Sequence, residues 1–258
     1  MDAQTLTALL RQVRDGRMDI PEAVGRLRRL PLEVLDCARL DHHRALRTGL
    51  PEAVFGEHKS VDQLVEILAA LLRSDSVVLA TRVDADKATA VRARLAGLTY
   101  HPAARILTGN DQYIPAGGAT GTVVLVTAGT SDLPVAEEAR ITLRMFGHPV
   151  ETVYDAGVAG IHRILAHSAL LQRGRVIIVV AGMEGALPSV VAGMTGAPVI
   201  AVPTSVGYGA GAGGWSALLG MLNSCSPGLA VVNSTTASAR PAWRPPSTAR
   251  LDLTARTG

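Results

Sequence analysis

Cys225 is one of two cysteines in this 258-residue chain, and it stands where an apolar run with Leu218, Leu219 and Leu222 gives way to Ser226-Pro227-Gly228 and a last apolar segment. A free cysteine is most often a small buried hydrophobe. A reactive one must hold its sulfur as thiolate, and the carboxyl end of a helix opposes that because its unpaired carbonyls raise a thiol pKa. His162, Arg163 and Arg47 are the cations the sequence offers to counter it.

The stretch VVLVTAGTSDLPVAEEA, 123–139, runs from an apolar strand through Gly129, Thr130, Ser131 and Asp132 into a helix with Pro134 in its first turn. Such a loop points backbone N–H groups and two hydroxyls at whatever sits beyond the helix start, which suits an anion. The simpler reading is that Ser131 or Asp132 caps the helix. Glycines recur at the corresponding ends of later strands, at Gly157, Gly182 and Gly207 through Tyr208 and Gly209. In open parallel sheets these carboxyl edges are where ligands bind.

Three further groups carry chemistry. Glu184 follows a strand in VVAGMEGALPS and is the last charged residue before a stretch of 55 residues, 185–239, that lacks Asp, Glu, Lys, Arg and His. It is placed to move a proton or to orient a ligand, or simply to favour a helix start. Asp155, His162 and Arg163 fall in YDAGVAGIHR, again after a strand. His162 is a proton-transfer candidate if it faces a ligand, although a lone helix histidine is more often a packing or surface group. In DHHRALR, 41–47, adjacent histidines share no helical face and no HExxH or CxxC spacing accompanies them, so a metal site is disfavoured. Arg44 and Arg47, three apart, fit a phosphate clamp or a solvated basic loop.

The elements that must position these groups follow from periodicity. Residues 3–30 read as a helical hairpin and 41–49 as polar and irregular. A small α/β unit comes next: strand 53–57, helix 61–72, strand 77–81, helix 85–96 and an extended piece over 99–106. Asn110 to Thr120 is rich in turn formers and marks a boundary near Gly117. After it, strands at 122–127, 150–154, 175–181, 198–202 and 229–233 alternate with helices at 134–146, 160–172, 186–195 and 213–224. That alternation predicts an α/β fold with a doubly wound parallel sheet, a three-layer αβα unit preceded by a small N-terminal α/β domain. The divisions are 1–117, 118–233 and a tail, 234–258.

Composition narrows the function. Aromatics make up 3% of the chain, so the core is built from small aliphatic side chains, as buried parallel sheets are. The net charge of +3 is carried by Arg240, Arg244, Arg250 and Arg256 against Asp252 in the tail, which leaves a neutral body and no footprint for nucleic acid. Prolines and glycines interrupt the long neutral stretch too often for a membrane span. The polar amphipathic N-terminus has no secretion-signal pattern, so Cys37 and Cys225 are expected as free thiols in the cytoplasm.

DHHRALRTGLPE, TAGTSDLPVAEEA, YDAGVAGIHR, VVAGMEGALPSVVAG, VPTSVGYGA and MLNSCSPG, in that order over 1–233, resemble the LarB family. Its members begin assembly of the nickel-pincer nucleotide of lactate racemase. The second half also resembles, more distantly, the aminoimidazole ribonucleotide carboxylases and mutases of purine synthesis, which have the same αβα architecture. The resemblance implies that nicotinic acid adenine dinucleotide is carboxylated at C5 of its pyridinium ring, with CO2 or bicarbonate as co-substrate, and that its phosphoanhydride is hydrolysed. The products are pyridinium-3,5-biscarboxylic acid mononucleotide and AMP. The family's cysteine adds to C4 of the ring and falls on Cys225. That makes chemical sense, because a pyridinium carbon cannot attack carbon dioxide, whereas a thiolate adduct at C4 is an enamine with a nucleophilic C5.

Under this resemblance Glu184 is the expected base at C5, and Thr130, Ser131, Asp132, Arg44 and Arg47 are expected anion contacts. Hydrolysis is expected to use Mg²⁺ held by Asp132 or Asp155. A homo-oligomer, octameric by resemblance, with a small-molecule nucleotide as its ligand, is the expected assembly.

The match stops at Asn233. There the family continues Ile-Asp-Asn-Gly-Phe-Gly-Ala, and this chain has Ser-Thr-Thr-Ala-Ser-Ala-Arg. One set of codons for 234–240, read one base earlier, spells the family sequence, so a single-base frameshift is the expected origin of the tail. The other reading is a diverged, disordered tail. A chain that carries this tail lacks a glycine-rich strand end and a terminal helix, so one alternative is an inactive nucleotide-binding homologue; the other, from the resemblance of the second half, is a purine-pathway carboxylase or mutase.

Overall fold

The computed structural model describes residues 3–27, 32–116, 121–208 and 213–233. The expected boundary near Gly117, Gly209 and the tail 234–258 lie outside these residues.

Helices α1 (Ala3–Arg14) and α2 (Ile20–Leu27) form the expected hairpin, closed by Leu9, Met18 and Ala23 with Val13 and Leu27. Strands β1 (Leu32–Val34) and β2 (Arg39–Asp41) pair antiparallel. The segment expected to be irregular over 41–49 contains a short helix, α3 (Arg44–Thr48), ended by Gly49 in the left-handed region. Its charged sequence has too little apolar periodicity to announce a helix of five residues.

A four-stranded sheet follows, built from β3 (Val54–Phe55), β4 (Val78–Thr81), β5 (Leu98–His101) and β6 (Ile106–Gly109) in the order β3-β4-β6-β5. Between its strands run α4 (Val61–Leu72) and α5 (Ala85–Arg94). Ser60 and Gln63 form a reciprocal capping box that starts α4. The single extended piece expected over 99–106 is instead a hairpin, because Arg105 adopts φ 54° and turns the chain between β5 and β6.

The second half has five parallel strands: β7 (Val123–Thr127), β8 (Val150–Val153), β9 (Val176–Ala181), β10 (Val199–Pro203) and β11 (Leu229–Val231). Their order, β11-β10-β9-β7-β8, reverses direction between β7 and β9. This is a doubly wound sheet with its topological switch at β7. Helix α6 (Leu133–Met145) covers one face through Ala136, Ala139 and Leu143. The other face is covered by α7 (Ile161–Leu165), α8 (Ser168–Arg173), α9 (Leu187–Ala192) and α10 (Trp215–Leu222). The single helix expected over 160–172 is therefore two, broken at Ala166 and His167.

Helix α6 serves both sheets. Its Ile141 and Met145 pack with Val77, Leu79, Ala104 and Ile106 of the four-stranded unit. Beside them Arg82 Nε donates to Glu138 Oε2 at 2.8 Å, with both side chains largely buried.

Candidate functional site

The glycine-bearing loops at the carboxyl edge of the five-stranded sheet interlock. Ala156 N–H donates to Thr127 O, and a Cβ on Gly157 would sit 2.6 Å from Ala128 O, so the β8 loop lies directly on the β7 loop. From the β7 loop, Asp132 reaches over the end of β9 to β10. Its Oδ1 accepts from Thr204 Oγ1 at 2.7 Å and its Oδ2 accepts from Gly129 N–H at 3.0 Å. Gly182 makes room for this bridge: a side chain there would collide with Val206 O and meet Thr204 Oγ1. Met183 N–H donates to the same Val206 carbonyl, which holds Met183 at φ 55°. A left-handed methionine costs about 1–2 kcal/mol, and the surrounding contacts enforce it.

Asp132 is thus a buried carboxyl with hydroxyl and amide partners. Burial pushes its pKa up, against the opposing effect of the Thr204 and Gly129 hydrogen bonds. Thr130 and Ser131 at the same turn are exposed, and neither caps α6 with its side chain. The sheet edge therefore presents two free hydroxyls above a buried acid.

Glu184 is exposed on the loop after β9, and that loop is gripped by α10. A Cβ on Gly185 would lie 2.6 Å from Ala217 O, and one on Gly220 would collide with Glu184 O. One helical turn beyond Gly220 the chain reaches Ser224, whose Oγ accepts from Ser189 Oγ at 2.8 Å and from Ser226 N–H at 3.2 Å. Ser226 Oγ donates to Ser189 O at 3.0 Å. The serines on either side of Cys225 are both fastened to one residue of α9, and Cys225 itself is an exposed free thiol, not the buried one that base rates favour. Cys225 and the Glu184 loop are consequently held by the same pair of helices.

Two of the three cations expected to assist Cys225 are engaged by other groups. Arg163 staples its own loop, donating to Asp155 O at 2.8 Å and Gly157 O at 3.3 Å and pairing with Asp155 Oδ1 at 3.1 Å. His162 is exposed on α7. Arg47 donates to Asp41 Oδ2 at 2.6 Å, and this contact holds the Asp41 carboxyl below its ordinary range. Arg44 is exposed one turn away. Among the described residues no hydrogen bond or ion pair joins Cys225 to Glu184, Ser131, His162, Arg163 or Arg47. Tyr208 stands exposed in the β10 loop beside Gly207.

For a metal the donors are poorly disposed. Asp132 has both oxygens engaged and Asp155 faces Arg163. Among the described residues no three His, Cys, Asp or Glu side chains converge. Among the described residues Asp132 and Asp155 are not joined by a third ligand that would hold Mg²⁺, and no step below runs through a metal.

Sequence reasoning passed over Thr204, Ser189 and Ser224. Thr204 lies inside VPTSVGYGA, at the strand-end position equivalent to the glycines, and that equivalence was the available signal. The two serines carried none, since 35 residues separate the members of their hydrogen bond.

Among known proteins, a model for the LarB/PurE-like N-terminal domain matches residues 32–111, and a model for AIR carboxylase matches residues 122–244. An uncharacterised protein of Methanocaldococcus jannaschii is 42% identical over 209 residues, covering 78% of this chain and 80% of that protein. Among solved structures, a variant of the PurE2 protein of Treponema denticola is 24% identical, covering 46% of this chain and 76% of its own with a TM-score of 0.37. Among the described residues no helix is long and apolar enough to cross a membrane.

Proposed function

Because the chain belongs to the LarB family and its second domain matches the AIR carboxylase model, we propose that it carboxylates C5 of the pyridinium ring of nicotinic acid adenine dinucleotide and hydrolyses the phosphoanhydride. The observation that carries this reading is the placement of Cys225, an exposed thiol on a connection pinned by Ser189, beside the helix pair that also holds the Glu184 loop. A covalent nucleophile needs exposure together with a fixed backbone, and Cys225 has both.

The Cys225 thiolate adds to C4, and the resulting enamine attacks carbon dioxide from C5. Glu184 takes the C5 proton, and departure of the thiolate restores the aromatic ring with its second carboxylate. Thr130 and Ser131 donate hydrogen bonds to the anionic end of the dinucleotide. Water completes the phosphoanhydride cleavage, so that one dinucleotide, one carbon dioxide and one water give pyridinium-3,5-biscarboxylic acid mononucleotide and AMP with release of three protons, one from C5 and two as both phosphates become dianions. The acting unit is a homo-oligomer in the cytoplasm.

Incubation with nicotinic acid adenine dinucleotide, bicarbonate and Mg²⁺ should release AMP and a dicarboxylated mononucleotide. Cys225→Ala should abolish carboxylation, by at least about a thousandfold, as loss of a nucleophile does. Dicarboxylated product formed by the Cys225→Ala protein would overturn the covalent step.

The AIR carboxylase match over 122–244 favours one second reading, a purine-pathway carboxylase or mutase. Turnover of aminoimidazole ribonucleotide would select it. Dinucleotide binding without AMP release would instead select an inactive homologue, the outcome a frameshifted tail would produce; sequencing the locus over codons 234–240 tests that origin.

A further inference from the structure

The cleft between the β5–β6 hairpin and the last two turns of α6 belongs to none of the chemistry above. It has a volume of about 100 Å³ and is lined by Thr99, His101, Thr108, Asp111 and Arg144 over an apolar floor that includes Ile141. Thr99 and Thr108 are cross-strand partners, and His101 follows Thr99 by two, so all three side chains point from one face of the sheet toward α6. A single water needs ~10–15 Å³ of such volume, so the cleft has room for a polyatomic ligand.

Its charges are unevenly matched. On α6, Arg140 is already neutralised by a bidentate contact with Glu137, at 2.8 and 2.7 Å, and Tyr154 OH donates to the same carboxylate at 2.5 Å. One turn on, Arg144 lines the cleft with no acid paired to it among the described residues. His101 Nε2 lies 3.0 Å from Thr108 Oγ1, which leaves its second ring nitrogen available. Facing His101 are Arg144 and Arg140 from α6, Asp111 from the turn after β6, and Glu137. With His101 protonated, Arg144 and His101 together exceed Asp111 by one positive charge.

We propose that this cleft binds a small, singly charged oxyanion, a carboxylate or a phosphate, held by the Arg144 fork, the His101 imidazolium and the two threonine hydroxyls. Guanidinium binds such groups with two parallel N–H donors, and a threonine hydroxyl donates a third bond. An anion there would neutralise the surplus and brace the four-stranded sheet against α6. Burial, then Arg144 and Arg140, lower the His101 pKa in the free protein, so the anion arrives with a proton and binds more tightly as pH falls.

The test is the titration of His101, followed in protein carrying ¹³C-labelled histidine at constant ionic strength, in chloride, in inorganic phosphate and in acetate. An anion in contact with the ring should raise the His101 midpoint by about 1 pH unit, the size an opposite charge within ~4–6 Å produces. A rise in phosphate alone, or in acetate alone, identifies the oxyanion. Arg144→Gln should remove the rise and Arg47→Gln should leave it. The same midpoint in all three salts overturns the proposal from the wild-type protein alone, and so does a rise that survives in Arg144→Gln.

Discussion

Two regions of this chain carry the groups expected to meet substrate, and they are held in opposite ways. The segment from Gly182 to Ser226 contains one charged residue, and its loops are fixed by backbone pressed on backbone through Gly182, Gly185 and Gly220. The segment from Asp41 to Arg47 is crowded with charge and fixed by polar side-chain contacts, an exposed ion pair of Arg47 with Asp41 and a largely buried hydrogen bond between His42 and Glu33 at 2.7 Å. Close backbone approach gives a geometry that cannot relax without moving a helix. An exposed ion pair such as Arg47–Asp41 gives one that exchanges partners at little cost.

The difference can be broken most forcefully at Gly220. Gly220→Ala places a methyl group on Glu184 O, and overpacking of this kind should cost about 3 kcal/mol, roughly 6–12 °C in Tm by calorimetry. A Tm unchanged in that variant would show that the contact between α10 and the Glu184 loop is not rigid.

Next in size is Asp132. Asp132→Ala strands Thr204 Oγ1 and Gly129 N–H and should cost about 2 kcal/mol in chemical denaturation. The wild-type acid also has a pH signature. Its folded pKa is raised above 3.8, so the folded state binds the proton more tightly than the unfolded state. This group's contribution is therefore fully present below 3.8 and is lost as pH rises through the folded pKa. Asp132→Asn should remove that slope while keeping most of the stability, as stability curves measured across the acid range would show.

Smaller still is Ser189→Ala, which deletes one hydrogen bond to Ser224 and should cost about 1 kcal/mol. Its more informative readout is Cys225, whose alkylation by iodoacetamide should quicken as the connection loosens. Last comes Arg47→Gln. An exposed pair should leave Tm unmoved, yet a phosphate clamp should lose about tenfold in dinucleotide affinity by calorimetric titration. Equal affinity would return Arg47 to a role within α3.

The sheet was legible because Val123 to Val126 and Val176 to Ala181 are continuous apolar runs, and only a strand buried on both faces tolerates them. The β5–β6 turn was hidden by Arg105, a residue type that gives no warning of a left-handed conformation. The break between α7 and α8 was hidden because Ala166 and His167 contain neither glycine nor proline. At the site, the glycines were readable one by one and their partners were not. Nothing within the sequence near Asp132 points to Thr204, 72 residues away, and a chain shows which residues permit close approach far more readily than what approaches them.

Helix α6 has a bearing on how such a chain could be taken apart. Its Leu143 side belongs to the five-stranded sheet and its Ile141 and Met145 side to the four-stranded one, with Glu138 buried between them on Arg82. A fragment that begins at β7 would carry that second flank, and its carboxylate, bare into water. Expressed by itself it would be a sticky protein, whatever the integrity of its own strands.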